Sequence, residues 1–237
     1  MIRPLRIAHT SDVHLSDDAD GHRARDAFAR VVDLVGETEA GLFIVAGDLF
    51  DHNRVTAGLL AFACGQLARL RCQTVVIAGN HDCWTEDAAL RRLDLRDAGA
   101  HVALLTDLQG TRLDFPDLAA TVWGRCLVDH HPDYRPLAGA PPRRDGRWHV
   151  GVAHGLYMDD ANAGRSSPIT PAEIEASGFD YLALGHVHVH RRYRHGRTVA
   201  CYPGSPVPGH GTQDGGSMAI IDLVPGREAA VRLLRVA

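Results

Sequence analysis

Apolar runs alternate with amphipathic stretches in a regular order over the first hundred residues. Residues 5–10 (Leu-Arg-Ile-Ala-His-Thr) read as a short strand that ends at Ser-Asp. Residues 22–38 carry apolar side chains at Ala24, Phe28, Val31, Val32 and Val35, the period of a helix with one buried face. Residues 42–46 (Leu-Phe-Ile-Val-Ala) are apolar at every position and end at Gly47, which suits a strand covered on both sides. Residues 56–70 predict a second helix, 74–78 a third strand ending at Gly79, 86–97 a third helix and 101–105 a fourth strand. Strands and helices in strict alternation imply βαβ crossovers and a sheet with parallel strands. Beyond residue 106 the period shortens. Segments at 111–115, 118–124, 148–153, 180–184, 191–201, 217–223 and 230–236, separated by Gly, Pro and Asp, predict a β-rich second half. The polar, proline-rich stretch 129–147 is expected as a surface loop. No repeat, low-complexity tract or linker divides the pattern, so one domain over 1–237 is expected.

Composition narrows this picture only a little. The 237 residues are 45% hydrophobic, enough to build a sizeable core. No stretch approaches the roughly 20 consecutive apolar residues of a membrane helix, and the N-terminus enters its first strand without a leader-like apolar region. The expected compartment is the cytoplasm, with no membrane partner. Five cysteines without CxxC spacing read as reduced thiols, some of them buried, rather than as a disulfide framework or zinc ribbon. All 25 basic residues are arginine, which suits a GC-rich coding bias better than a specific role. The net charge of −4 gives no global nucleic-acid signature. Carboxylates that hold metal ions count as negative in that sum, however.

The chemistry collects at strand ends. Asp12 and His14 follow the first strand, Asp48 the second, Asn80 and His81 the third, His154 the segment at 148–153, and His186 and His188 the segment at 180–184. In open sheets with parallel strands, ligands bind beyond the carboxyl ends of the strands. Each signal has a bland reading by itself. Gly-Asp is usually a turn with a helix cap, Gly-Asn-His tolerates left-handed backbone, and a lone histidine is more often structural than ligating. Five segments placing such residues at five strand ends make coincidence a poor account. Imidazole with carboxylate and amide oxygen suits divalent ions of intermediate hardness. Seven donors and no cysteine favour two ions over one, with a carboxylate such as Asp48 shared. Such a pair can clamp both oxygens of an in-line displacement at phosphorus. His81, beside Asn80, is placed to protonate the leaving oxygen. Asp82 is expected either to orient His81 or to cap the following helix.

These residues match a family pattern. Ser-Asp-Val-His-Leu, Gly-Asp-Leu-Phe-Asp, Gly-Asn-His-Asp, Ala-His-Gly and Gly-His-Val-His resemble the calcineurin-like metallophosphoesterases over residues 7 to 205. The resemblance implies an α/β fold, a four-layer β-sandwich of two mixed sheets flanked by helices. It also implies a dinuclear site: Asp12, His14, Asp48 and His188 on one metal, Asp48, Asn80, His154 and His186 on the other, and His81 as catalytic histidine. The flanks His9-Thr10-Ser11, Leu49-Phe50-Asp51 and Tyr202-Pro203-Gly204-Ser205 resemble SbcD-type DNA repair nucleases more closely. That likeness implies manganese as the metal, DNA as the substrate and other DNA repair proteins as partners. Ser16 departs from the glycine usual in that group. The chain ends soon after the phosphoesterase segment, so the expectation is a compact member without a capping domain, acting as a single-strand endonuclease. The alternative is a phosphodiesterase or phosphomonoesterase acting on a small-molecule or cyclic nucleotide substrate. A non-catalytic module would have lost ligands, and all seven are present.

Around the site, His52 and Arg54 are candidates to hold the substrate phosphate. Arg191, Arg192, Arg194, His195 and Arg197, with Arg143, Arg144 and Arg147, could track a nucleic-acid backbone; the plain reading is an exposed hairpin face and loop. Trp84 and Tyr157 could stack bases or simply pack. His190 is surplus to two metal sites.

Overall fold

The computed structural model describes residues 2–129, 131, 133–143, 146–159, 167–210 and 216–236. In the first half, β1 (Leu5–Thr10), α1 (Gly21–Glu37), β2 (Leu42–Ala46), α2 (Ala57–Ala68), β3 (Gln73–Ile77), α3 (Ala89–Arg92), α4 (Leu95–Ala98) and β4 (Val102–Leu105) follow in order. The strands β1 to β4 run parallel, as their crossovers require. The second half adds β5 (Thr111–Phe115), β6 (Ala120–Gly124), β7 (Trp148–His154), β8 (Leu156–Tyr157), β9 (Pro168–Ile169), α5 (Pro171–Ser177) and β10 (Tyr181–Gly185). It ends with β11 (Arg191–His195), β12 (Thr198–Tyr202), β13 (Ser217–Leu223) and β14 (Ala230–Arg235). A first sheet has the order β14-β13-β1-β2-β3-β4 and a second the order β11-β12-β10-β7-β6-β5. Both are mixed. In the second, β6, β7, β10 and β12 are parallel, and only the outer β5 and β11 run against their neighbours.

Side-chain alternation explains the layering. Leu42, Ile44 and Ala46 of β2, with Ile7, Val75 and Ile77, meet Val122, Val150, Val152, Tyr181, Ala183 and Val199 in a core between the sheets. The opposite faces, Phe43, Val45 and Val76, pack under α1 and α2 against Phe28, Val31, Leu59 and Leu67. Leu182, Leu184, Ala200 and Tyr202 pack outward from the second sheet against Ile174 of α5 and Phe179. The strands are therefore apolar at every position because both faces are covered. Each fully buried aliphatic side chain contributes about 1.5–3 kcal/mol. The four-layer sandwich of two mixed sheets flanked by helices is the fold that the motifs imply.

Three elements depart from the periodicity. The helix expected over 86–97 breaks at Leu93, which turns to extended backbone (ψ 124°) and buries its side chain in the helix-layer core. The carbonyl of Asp94 then caps a new turn through the amides of Asp97 and Ala98. The segment at 191–201 is a hairpin, turning at Gly196 with φ 56°. The helix α5 had a readable signal. Thr170 and Glu173 form a reciprocal capping box, with Pro171 in the first turn. Parts of the 129–147 loop, Arg144 among them, lie outside the described residues.

Candidate functional site

The carboxyl ends of β1, β2, β3, β7 and β10 meet at one edge where the two sheets converge. The turns after β1 and β2 are zipped together: the Asp12 amide donates to Gly47 O, the Val13 and His14 amides to Asp48 O, and Leu15 to Leu49 O. Holding side chains inward from such turns demands unusual backbone. Asp12, His14, Asp48 and His186 all have positive φ, at 56°, 54°, 52° and 106°. Non-glycine residues in this region cost on the order of 1–3 kcal/mol each and persist where surrounding structure fixes them. Gly47, at φ 90°, is required twice over, since a Cβ there would lie 2.2 Å from His154 Nδ1.

All seven residues predicted as metal donors come together, in two groups that share Asp48. On one side, His154 Nε2 lies 2.9 Å and His186 Nδ1 2.8 Å from Asn80 Oδ1, with Asp48 Oδ2 3.4 Å from His154 Nε2. On the other, His14 Nε2 and His188 Nε2 approach to 3.2 Å. Asp48 Oδ2 is 3.9 Å from His14 Nε2, and Asp12 Oδ1 is 3.7 Å from His188 Nε2. His81 stands beside this second group, its ring edge-on to His14 with centroids 4.6 Å apart. Its side chain is 43% exposed, and its amide donates to Asp48 Oδ1 at 2.9 Å.

The electrostatics suit cations. Asp12 and Asp48 are 0% and 1% exposed, and among the described residues neither is paired with an arginine. Burial drives the Asp12 carboxyl up to about 6. Burial also pushes Asp48 up, but the charge and hydrogen bond of His154, with His14, outweigh it and hold Asp48 below the usual carboxylate range. Burial lowers His14 and His188 to about 4, which leaves them as neutral lone-pair donors. His154 is held up at about 9: Asp48 overcomes the opposing effect of burial. Two buried carboxylates, an amide oxygen and imidazoles, of which His154 would give up its proton on binding, form a donor set that divalent ions complete in charge and in coordination.

Several neighbours take roles that the sequence does not announce. Asp51 bridges the chemistry, because His14 Nδ1 donates to its carboxylate at 2.9 Å and His81 Nδ1 to its backbone carbonyl at 2.8 Å. Oxygen partners of this kind fix ring orientation. Asp51 closes the Gly-Asp-Leu-Phe-Asp motif, so its position there was the available signal. Asp82 neither orients the His81 ring nor caps a helix. It is fully buried and accepts the amides of Gly79 at 2.7 Å and Phe50 at 3.1 Å, tying two site turns together. Ser205 Oγ donates to Asp12 O at 2.8 Å, and the Tyr202 hydroxyl donates to Gly155 O at 2.7 Å. These flanks brace the site turns. His9, in the first flank, is buried and hydrogen-bonded to the Tyr181 hydroxyl at 2.8 Å.

The outlying candidates separate. His52 is half-buried with a ring nitrogen within 4.8 Å of carboxylate oxygens of Asp18 and Asp51, and Arg54 is exposed. Arg192 pairs with Glu228, Arg194 with Glu228 at 3.1 Å, and Arg197 and Arg143 with Asp180 at 3.2 and 2.7 Å. Arg147 pairs with Asp114 at 2.6 Å. The hairpin arginines therefore share two carboxylates, Glu228 and Asp180, which offset part of their charge. Trp84 is covered by the Arg91 guanidinium at 4.4 Å, and Tyr157 is stacked on Tyr193 with centroids 3.8 Å apart, so one face of each ring is taken. His190 is structural, with Nδ1 bonded to Tyr202 O at 2.9 Å. All five cysteines are free, and no helix among the described residues is long and apolar enough to cross a membrane.

Comparisons with known proteins agree with this geometry. A family model described as calcineurin-like phosphoesterase matches residues 5–190. Over 223 residues the chain is 30% identical to the DNA double-strand break repair protein Mre11 of Methanopyrus kandleri, covering 86% of this chain and 49% of that protein. Over 269 residues it is 26% identical to the D component of the nuclease SbcCD of Bacillus subtilis, covering 95% of this chain and 68% of that one. The chain thus spans about half the length of the archaeal relative. A dimetal phosphatase from Danio rerio shares the fold with a TM-score of 0.62 at 11% identity, covering 98% of this chain and 96% of that one.

Proposed function

This chain belongs to the calcineurin-like phosphoesterase family, and from that premise we propose that it is a two-metal phosphodiesterase hydrolysing DNA, a manganese-dependent endonuclease acting on single strands. The observation that carries the reading is the convergence of seven donors in two groups sharing Asp48, with His81 alongside. Asp12, His14, Asp48 and His188 would hold one ion, and Asp48, Asn80, His154 and His186 the other. Two divalent ions so placed supply charge at both the attacking and the leaving oxygen of an in-line displacement.

The chain's own side chains do the rest. His81 Nδ1 faces the carbonyl of Asp51, an acceptor only, so Nδ1 carries a hydrogen. The second nitrogen of the protonated ring is then the one that can give a proton to the leaving oxygen. His52 and Arg54, which follow Asp48 closely, are assigned to the substrate phosphate. DNA is supported by the likeness to Mre11 and to the SbcCD nuclease component and by the Tyr202 and Ser205 flank. We also read residues 1–237 as one phosphoesterase domain, with other DNA repair proteins as partners. The five free thiols support the reducing cytoplasm as its compartment.

One observation favours a second substrate class. The arginines at 143, 192, 194 and 197 are paired with Asp180 or Glu228, which leaves less free basic surface for a polynucleotide. A small-molecule or cyclic nucleotide substrate, cleaved as a diester or a monoester, fits that surface. Nicking of circular single-stranded DNA with Mn²⁺, run beside hydrolysis of bis-p-nitrophenyl phosphate, separates the two. Cleavage of the small diester with intact DNA overturns the DNA reading. His81→Ala is expected to lower turnover by about 10²–10⁴-fold, the range for a lost general acid, with Mn²⁺ binding unchanged by titration calorimetry. A His81→Ala protein with wild-type turnover removes that assignment.

A further inference from the structure

The five strand ends that supply the seven donors leave three neighbouring parallel strands unused, β4, β6 and β12. β12 lies beside β10 and runs parallel to it, so its carboxyl end opens at the same edge as His186 and His188. The chain leaving β12 is Tyr202-Pro203-Gly204-Ser205-Pro206-Val207-Pro208-Gly209-His210. It is fastened to the site at several points. The Ser205 amide donates to His188 O at 3.0 Å, and Ser205 Oγ donates to Asp12 O at 2.8 Å. The Val207 amide donates to Ser205 Oγ at 3.2 Å, and the His210 amide to Val207 O at 3.2 Å. A segment tied to the turns of both Asp12 and His188 carries its last side chain to a defined place. The His210 ring centroid lies 4.7 Å from those of His14 and His188. One ring nitrogen from each of the three histidines falls within 4.8 Å of the other two.

We propose that His210 is a further donor of the metal centre, an eighth residue that binds the divalent ion on the Asp12, His14 and His188 side. The proposal rests on the two-metal reading above and adds to it. Three imidazoles in mutual contact repel one another when protonated. They are complementary to a shared cation when neutral, because each then offers a lone pair. His210 is half-buried and lines a cavity of about 340 Å³ together with His14, Asp51, Asp18 and Arg23. A donor on this side can bind the ion while leaving the Asn80, His154 and His186 group untouched. It also gives the Tyr-Pro-Gly-Ser flank a chemical task, that of aiming the end of β12 at the metal.

The test is Mn²⁺ alone, titrated by calorimetry into the metal-free full chain, with His22→Ala, an exposed α1 histidine, as control. The wild-type chain is expected to bind two ions. His210→Ala is expected to bind one of them as the wild type does and the other at least about tenfold more weakly, the scale on which a lost support of a ligand set is felt. His210→Asp, which restores an oxygen donor, is expected to recover most of that loss, and His22→Ala to change nothing. If His210→Ala binds both ions as tightly as the wild type, the assignment is overturned, including the case in which only KM for substrate rises. If the wild-type chain itself binds no Mn²⁺, the two-metal reading falls and takes this proposal with it.

Discussion

Asp48→Asn is expected to abolish phosphodiester hydrolysis and most of the stabilisation that the protein gains from Mn²⁺. The substitution keeps the volume at a residue that is 1% exposed, so packing is not the variable. What is lost is the one full negative charge common to both donor groups, 3.4 Å from His154 Nε2 and 3.9 Å from His14 Nε2. Removing a single preorganised electrostatic partner costs an active site about 10²–10³ in rate, and a shared ligand touches both ions, so the expected loss is at the upper end or beyond. Ion binding to the native state alone stabilises it by about 2.7 kcal/mol at a hundred times Kd. For a chain of this size each kcal/mol moves Tm by about 2–4 °C. The wild-type Tm is therefore expected to climb by several degrees per occupied site as Mn²⁺ is added to chelated protein. The Asp48→Asn curve is expected to stay nearly flat. Scanning calorimetry with and without chelator reads this, and a variant that keeps the wild-type Tm rise shows that Asp48 is not the shared ligand.

How much of this was readable depends on the range of the interaction that decides each feature. The strands β2 and β3 declare themselves because burial on both faces leaves an unbroken apolar run. Each run stops at a glycine for a steric reason: Gly47 has positive φ, and a Cβ on Gly79 would lie 2.1 Å from Asp48 Oδ1. The polar residue after each glycine is then exposed to inspection, as with Asp48, Asn80 and His186, while Asp12, His14 and His154 fall at strand ends without such a glycine. Features set by distant segments were hidden. Leu93 breaks a good helical period only because the core under α1 and α2 takes its side chain. Asp82 sits next to His81 in the sequence, which suggests a pair. The turn from Gly79 to Asp82 instead sends the carboxylate back to the amides of Gly79 and Phe50. His210 belongs to no local motif. Its place follows from β12 lying beside β10, a pairing that no residue near His210 encodes. The basic residues at 191–197 show the converse: part of a tempting local cluster is offset by Glu228 and Asp180 from other elements.

Asp82 is where the largest loss of stability is expected without loss of a proposed ligand. Asp82→Ala leaves the amides of Gly79 and Phe50 without acceptors in a fully buried place. Each orphaned buried N–H costs about 1–3 kcal/mol, so the expected destabilisation is about 2–6 kcal/mol by urea unfolding of the metal-free chain. Asp82→Asn keeps one carbonyl oxygen and turns a donor toward the other amide, so it should fall between alanine and wild type. The pH dependence gives an independent check. Burial, helped by the charge of Asp48, raises the Asp82 carboxyl to about 7, against about 4 for a carboxyl in an unfolded chain. Between these values the native state binds the proton more tightly than the unfolded state. The contribution of Asp82 to stability is thus complete below pH 4 and is lost as pH rises through 7. Asp82→Asn has no such group, so its deficit relative to wild type is expected to narrow from pH 5 to pH 8. A deficit that widens over that interval, or an alanine variant within about 0.5 kcal/mol of wild type, the scale of an ordinary surface substitution, shows that the two turns are not held by this carboxylate.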